Sequence, residues 1–414
     1  MTEPLSKPNR KNPLVRTRQP LLPPASRSCK AHGLTLAAAA GRFMLQCCGG
    51  CGQYSYPVRE ACPNCLSADL PFKDALTGGV LLSETRIEVT GDPYFREHMP
   101  WRTGLVRLDC GPSAVVHLHG DCGGPGSQLS LSLQLDRAGQ AVLFARPVSE
   151  TPDMEDDPQW REMTADPKYR RVLITEGRSP AAVALAIALK KAGAAKVFVG
   201  VADRWKPFEE QKALEAIEGV EFVDLDLTNE RSVQELAMDI GAKVEILINT
   251  ADHVRPTHLF NAGAINTARD AMDHTVMGLM RLAQAFGPVM RSRGADGKTG
   301  AVAWVNVLSV HGLSNVPQFG VHSAAHAACL SLSQWLRSEL RQGGVRVINA
   351  FTGPLDTEWF QTVPPPKVAP KALADAIVDG LKRGLEDIYV GDVAKDIEAR
   401  LFDNPKAVER EAGQ

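Results

Sequence analysis

Four cysteines are spaced for metal chemistry. Cys48 and Cys51 form one Cys-x2-Cys pair, Cys62 and Cys65 form a second, and the ten residues Gly52–Ala61 separate them. Each pair offers two thiolates from one tight turn, and two such turns complete a tetrahedral four-sulfur site. Gly49, Gly50, Gly52 and Pro63 supply the turn chemistry. All four positions are filled by protein, so no position stays open for a reactive water and the expected metal is a structural Zn2+. Free, buried or redox cysteines are the competing reading, and Cys47, beside a ligand, is expected to be a bystander. The chain has nine cysteines, and the scatter of the rest argues against a secreted disulfide framework.

The histidines offer two weaker constellations. His322 and His326 stand at i and i+4 of a predicted helix, which is the spacing of a metal pair, although no glutamate lies between them. His117 and His119 alternate on a predicted strand and face one way, with Cys122 nearby. A polar barrel face accounts for that second pair without a metal.

The elements that must position these groups change character along the chain. Residues 1–40 hold a basic arm (Lys7, Arg10, Lys11, Arg16, Arg18) and a short helix. Residues 41–70 carry the cysteines. From 71 to 150 the pattern is all strand: Val80–Val89, Gly104–Leu108, Val115–Leu118 and Val142–Arg146 are short apolar runs. Leu129, Leu131, Leu133 and Leu135 alternate with Ser and Gln, as in a half-buried strand. Several short strands in so small a span suit a barrel. Residues 151–168 are rich in Asp, Glu and Pro and read as a linker. From 169 to 395 strands alternate with helices, which predicts a doubly wound parallel sheet of Rossmann type. Residues 396–414 read as a C-terminal tail.

A net charge of −2 gives no bulk attraction to nucleic acid or to an anionic membrane. No apolar run approaches the roughly 20 residues that span a bilayer, and the expected location is the cytoplasm.

The run Gly41-Arg-Phe-Met-Leu-Gln-Cys-Cys-Gly-Gly-Cys-Gly-Gln-Tyr-Ser-Tyr-Pro57, followed by Cys62-Pro-Asn-Cys65 and the barrel strands, resembles the acyl-CoA-associated family of rubredoxin-like zinc ribbons joined to OB-fold barrels. His98-Met-Pro-Trp-Arg-Thr-Gly-Leu-Val-Arg-Leu-Asp109 is similar to its mid-barrel strand. The resemblance covers residues 30–148. It implies a partner, a thiolase-like or aldolase enzyme, and acyl-CoA as the molecule handled. An OB barrel taken alone could equally bind single-stranded nucleic acid, but no basic groove with interleaved aromatics is present.

Residues 170–395 resemble the short-chain dehydrogenases/reductases. The segment Val172-Leu-Ile-Thr-Glu-Gly-Arg-Ser-Pro-Ala-Ala182 stands at the family's first strand and glycine-rich turn, Asp224-Leu-Asp-Leu-Thr228 at its acidic motif, and Ile246-Leu-Ile-Asn-Thr-Ala-Asp252 at its Asn-Asn-Ala-Gly. Val305-Asn-Val-Leu-Ser-Val-His-Gly312 resembles the strand bearing the catalytic serine. The resemblance implies NAD(P) held near Gly177, Ser179, Asp226 and Asn249, and a catalytic tetrad at Ser309, His322, His326 and Thr275. The departures count against that chemistry. Gly177 is the only glycine left in the turn, which otherwise carries Glu176, Pro180 and Ala182. A carboxylate about 5 Å from a phosphate costs roughly 3 kcal/mol at an effective dielectric near 20. Val201 stands where NAD-dependent members carry an acid, with Asp203 two residues on. The tyrosine and lysine of the tetrad are replaced by His322 and His326, and the helix asparagine by Thr275. A histidine, mostly neutral at pH 7, does not do the lysine's work.

The expected function is therefore that of a non-catalytic or weakly catalytic accessory subunit of an acyl-CoA-processing complex. Its Rossmann domain would pair with itself or with an active short-chain dehydrogenase through helices at about 267–291 and 320–341. The alternative is an NAD(P)-dependent oxidoreductase acting on a hydroxyacyl- or oxoacyl-CoA, with Ser309 and His322 as the working pair.

Overall fold

The computed structural model describes residues 1–10, 19–25, 28–179 and 181–412. Lys11, Arg16 and Arg18 of the basic arm and Pro180 of the turn lie outside the described residues. The chain divides into two compact units, one of Met1–Lys7, Leu21–Asp166 and Lys382–Leu385, the other of Pro8–Pro20, Pro167–Leu381 and Glu386–Gln414.

In the first unit, helix α1 (His32–Ala39) leads to strand β1 (Met44–Cys47), the centre of a small antiparallel sheet between β2 (Tyr54–Ser55) and β3 (Phe72–Asp74). A barrel follows, built of β4 (Gly78–Ile87), β5 (Trp101–Leu108), β6 (Ser113–Leu118), β7 (Gln128–Leu135) and β8 (Ala141–Pro147). Helix α2 (Pro93–Glu97) lies between β4 and β5. The strands close in the order β4-β5-β6-β8-β7, with β6 and β8 parallel and the other pairs antiparallel. Closure is stabilised from within, because the alternating Leu129, Leu131, Leu133 and Leu135 share one core with Leu81, Val106 and Leu118.

The expected linker at 151–168 is packed protein. Helix α3 (Pro158–Glu162) starts at Asp157, whose carboxylate accepts the Trp160 amide at 2.8 Å and the Gly120 amide at 2.9 Å. Trp160 and Met163 are buried with Trp101, Val142 and Phe144. Of the acids that gave the segment a linker composition, Asp157 is a cap and Glu155, Glu162 and Asp166 are ion-pair partners. Glu162 receives the Tyr94 hydroxyl at 3.0 Å and faces Arg137 at 3.4 Å and His98 at 3.5 Å.

The second unit carries seven parallel strands: β9 (Arg171–Ile174), β10 (Lys196–Val201), β11 (Val220–Asp224), β12 (Ile246–Asn249), β13 (Ala303–Ser309), β14 (Arg346–Thr352) and β15 (Asp387–Val390). Their order is β11-β10-β9-β12-β13-β14-β15. The order reverses between β9 and β12, which is where an open sheet of this kind forms its crevice. The crossover helices are α4 (Ala181–Lys191), α5 (Gln211–Glu215), α6 (Glu230–Ile240), α7 (Ala264–Ala271), α8 (Gly278–Arg293), α9 (Gly320–Arg341) and α10 (Pro370–Arg383). A π-helical turn, Met272–Met277, joins α7 to α8.

Residues 396–414 are not a loose tail over their described length. Helices α11 (Asp392–Leu401) and α12 (Pro405–Ala412) place Ile397 and Val408 in the sheet's core. Just before β12, the fully buried Glu245 is met by Arg10 at 2.6 Å, Arg171 at 3.6 Å and Arg293 at 3.8 Å. A carboxylate so deeply buried requires such partners. No helix among the described residues is long and apolar enough to cross a membrane.

Candidate functional site

The turn after β1 carries Cys48 and Cys51, and a second turn carries Cys62 and Cys65. The four sulfurs lie within 4.8 Å of one another, with Cys48–Cys65 at 3.5 Å and Cys51–Cys62 at 3.6 Å. A tetrahedron with zinc–sulfur bonds of about 2.3 Å has edges near 3.8 Å, so the donor set fits Zn2+. Backbone amides of Cys65 and Asn64 pull the Cys62 thiol down to about 6. Cys65 is pushed up to about 12: the Ser67 amide pulls it down, but its hydrogen bonds to Cys48 and Cys51 prevail. Four sulfurs held this close together are placed to share a cation. Cys47 is buried beside the site, its thiol reaching the Gly52 carbonyl at 3.5 Å, as expected of a bystander.

His117 and His119 have protein partners. The Trp101 indole donates to His117 Nδ1 at 2.8 Å, while His119 bonds the Met154 carbonyl at 2.8 Å and accepts the Asp121 amide at 3.0 Å.

In the second unit the turn after β9 lies against β10. A β-carbon on Gly177 would come within 2.6 Å of Val199 and 3.0 Å of the Gly200 carbonyl, so only glycine permits this approach. The Gly177 amide donates to that carbonyl at 2.7 Å. Glu176 turns its carboxylate back onto the turn and accepts the Arg178 amide at 3.1 Å. The Ser179 amide donates to the Glu176 carbonyl at 3.2 Å, and the Ser179 hydroxyl takes the Ala181 amide at 3.4 Å. Three amides of this turn, those of Gly177, Arg178 and Ser179, are thus bonded within the chain. Across the cleft, His274 faces Glu176 at 3.8 Å; burial opposes its protonation, but the Glu176 carboxylate prevails and raises its pKa.

The other expected cofactor contacts are also engaged. Asp226 accepts the amide and hydroxyl of Thr228 at 2.9 and 2.7 Å, a local turn leading into α6. Asn249 belongs to a buried chain of polar side chains across the sheet. It accepts the Thr175 hydroxyl at 3.2 Å and donates to Asn306 at 3.4 Å; Asn306 donates to Ser333 at 3.1 Å, and Ser333 to Asn349 at 2.5 Å. Asp203 is paired with Lys206 at 2.6 Å, which lowers its pKa.

Ser309 ends β13, and His322 and His326 lie on α9, both buried. The structure joins these histidines to Asp252, the residue at the last position of Ile246–Asp252. One carboxylate oxygen of Asp252 accepts from His322 Nε2 at 2.9 Å and His326 Nε2 at 3.1 Å. The Ser309 amide donates to His326 Nδ1 at 3.1 Å, while His322 Nδ1 has no hydrogen-bond partner. Burial works to raise the Asp252 pKa, but the two imidazoles hold it far below the usual carboxylate range. Burial, then the charge of His322, lowers His326. Thr275 lies in the π-helical turn, its carbonyl taking the Cys329 thiol at 3.6 Å. Asp252, His322, His326 and Ser309 line a cavity of about 30 Å3. That is water-accessible space for at least one water. No spacing rule connects Asp252 to histidines 70 and 74 residues away; the aspartate in place of a glycine was the one available sign.

Residues 170–367 match the family model described as short chain dehydrogenase. A solved short chain dehydrogenase from Burkholderia cenocepacia, in complex with NADP, is 30% identical, with 59% of this chain and 98% of that one covered and a TM-score of 0.53. The chain belongs to the short-chain dehydrogenase family. Its short-chain dehydrogenase domain is also 28% identical over 181 residues to farnesol dehydrogenase of Aedes aegypti, covering 42% of this chain and 72% of that protein. A short-chain dehydrogenase of Talaromyces islandicus is 29% identical over 150 residues, covering 35% of this chain and only half of the fungal protein. Residues 37–71 match the ChsH2 rubredoxin-like zinc ribbon. The chain thus joins a zinc ribbon to a short-chain dehydrogenase domain.

Proposed function

We propose that this chain is an accessory subunit of an acyl-CoA-processing assembly. The ribbon and barrel, which we read as an OB fold, work beside a thiolase-like or aldolase enzyme. The short-chain dehydrogenase domain serves assembly rather than hydride transfer. The observation that carries this reading is the turn after β9, whose amides are bonded internally and where Glu176 places a carboxylate that accepts the Arg178 amide. The replacement of a phenol and an ammonium by two imidazoles on one carboxylate supports it. A groove of about 230 Å3 between α8 and α9 supports the assembly role, because it is lined by Leu279, Ala283, Leu332 and Trp335, the last 60% exposed. A second copy or an active short-chain dehydrogenase is the partner this face would take.

Calorimetric titration of the zinc-loaded chain with NADH and with NADPH tests the reading. We expect no binding up to millimolar cofactor; low-micromolar binding would overturn it. The second reading is an NAD(P)-dependent oxidoreductase acting on a hydroxyacyl- or oxoacyl-CoA. It is favoured by the solved relative's NADP and by a serine, Ser309, at the end of β13. Micromolar binding would select it, with His322 as the acid–base group to mutate.

A further inference from the structure

We infer that Asp252, His322 and His326 form a second metal site, for a divalent ion of the zinc type. Three side chains of the right donor types converge from two elements, the segment after β12 and the helix α9. Their ligand atoms lie within 4.8 Å of one another, and both Nε2 atoms already point at one Asp252 oxygen. A further observation favours a ligand there: the same three side chains line a cavity with about 30 Å3 of water-accessible space, enough for at least one water. His322 is 2% exposed and its Nδ1 has no hydrogen-bond partner, so that nitrogen is free to take the proton a metal displaces from Nε2.

Two imidazoles and one carboxylate suit zinc or a neighbouring late transition ion better than magnesium or calcium, which prefer all-oxygen shells. Three protein ligands leave a fourth position facing the cavity, the layout of an open site and unlike the closed four-sulfur ribbon. Asp252 is one-third exposed and gives the ion its entry.

The proton balance predicts how tight the site is. Each Nε2 now carries the proton it gives to Asp252, and the metal takes that position. His322 can move its proton to its unpartnered Nδ1. His326 cannot do so freely, because its Nδ1 accepts the Ser309 amide at 3.1 Å. That hydrogen bond is lost on binding, which weakens the site by about one to two orders of magnitude. It is therefore expected to fill after the ribbon and to empty first.

The test uses the full chain carrying one zinc in its ribbon, titrated with Zn2+ and with Co2+ and followed by native mass spectrometry and visible absorption. We expect a second equivalent, and for Co2+ a weak ligand-field spectrum without thiolate charge transfer. Asp252→Asn and His326→Gln should lose the second equivalent and keep the first, with an unchanged thermal transition showing that they fold. Saturation of the native chain at one equivalent would overturn the proposal, as would a second equivalent retained by both variants. The inference does not rest on the accessory role, because metal stoichiometry is read without dinucleotide or partner.

Discussion

The ribbon takes its four ligands from one stretch of chain, Cys48 to Cys65, and each ligand pair is fixed by a local turn. The cleft takes its residues from the turn after β9, the ends of β12 and β13, the π-helical turn and α9. A site written into neighbouring residues keeps or loses its function as a unit. A site assembled from distant elements can exchange one group at a time while the sheet beneath it persists. The two regions illustrate this: the ribbon has its full donor set, whereas the cleft has the family's architecture with its polar groups turned inward onto one another.

The comparison breaks first at the metal. Removing zinc by chelation, or by Cys62→Ser, should cost the ribbon on the order of 10 kcal/mol, read as loss of one zinc equivalent and of the first unit's melting transition. The short-chain dehydrogenase domain should still melt near its original temperature. Survival of both transitions would show that the ribbon's order does not depend on its metal.

Acid should separate the two regions next. Burial disfavours the Glu162 carboxylate, but Arg137, His98 and Tyr94 outweigh it and hold its pKa at about 2. The folded value is depressed, so the stabilisation is present above the unfolded value near 4.5 and is lost as pH falls from there toward 2. The amount is roughly 3 kcal/mol. Melting of the first unit between pH 6 and 2.5 should show this loss, and Glu162→Gln should flatten it.

The cleft is probed by Glu176→Gly. Removing the carboxylate frees the Arg178 amide and about 3 kcal/mol of repulsion, so NADPH affinity should rise by about two orders of magnitude. No change in titration would mean that Glu176 does not limit cofactor binding. The smallest effect is expected of Ser309→Ala, which removes the acceptor of the His311 amide at 3.2 Å. It should cost about 1 kcal/mol, visible as a shift of a few degrees in melting, whereas an oxidoreductase would lose turnover.

What was legible in the sequence follows the same division. The cysteine spacing alone named the ligands, and the alternation of Leu129 to Leu135 alone oriented a barrel strand. The strands β9 to β14 were visible as apolar runs because both faces of that sheet are covered. The pairing of β6 with β8 was not visible, since strand order is a tertiary choice. The segment 151–168 was misread because composition cannot distinguish a solvated acid from a cap such as Asp157. Helices α11 and α12 were hidden by their charge, with only Ile397 and Val408 turned to the core. Glu176 was marked as hostile to phosphate, but its grip on the Arg178 amide depends on a bend that only coordinates reveal.

The Glu245 cluster has a consequence for the order in which the protein is made. Arg10 emerges from the ribosome 235 residues before the carboxylate it pairs with. At about 5–20 residues per second that is a delay of roughly 12–50 seconds. During this interval the ribbon and barrel can complete their own folding while the arm still has no binding site. Arg10 can join only once the parallel sheet exists, which makes its ion pair a late event in biosynthesis.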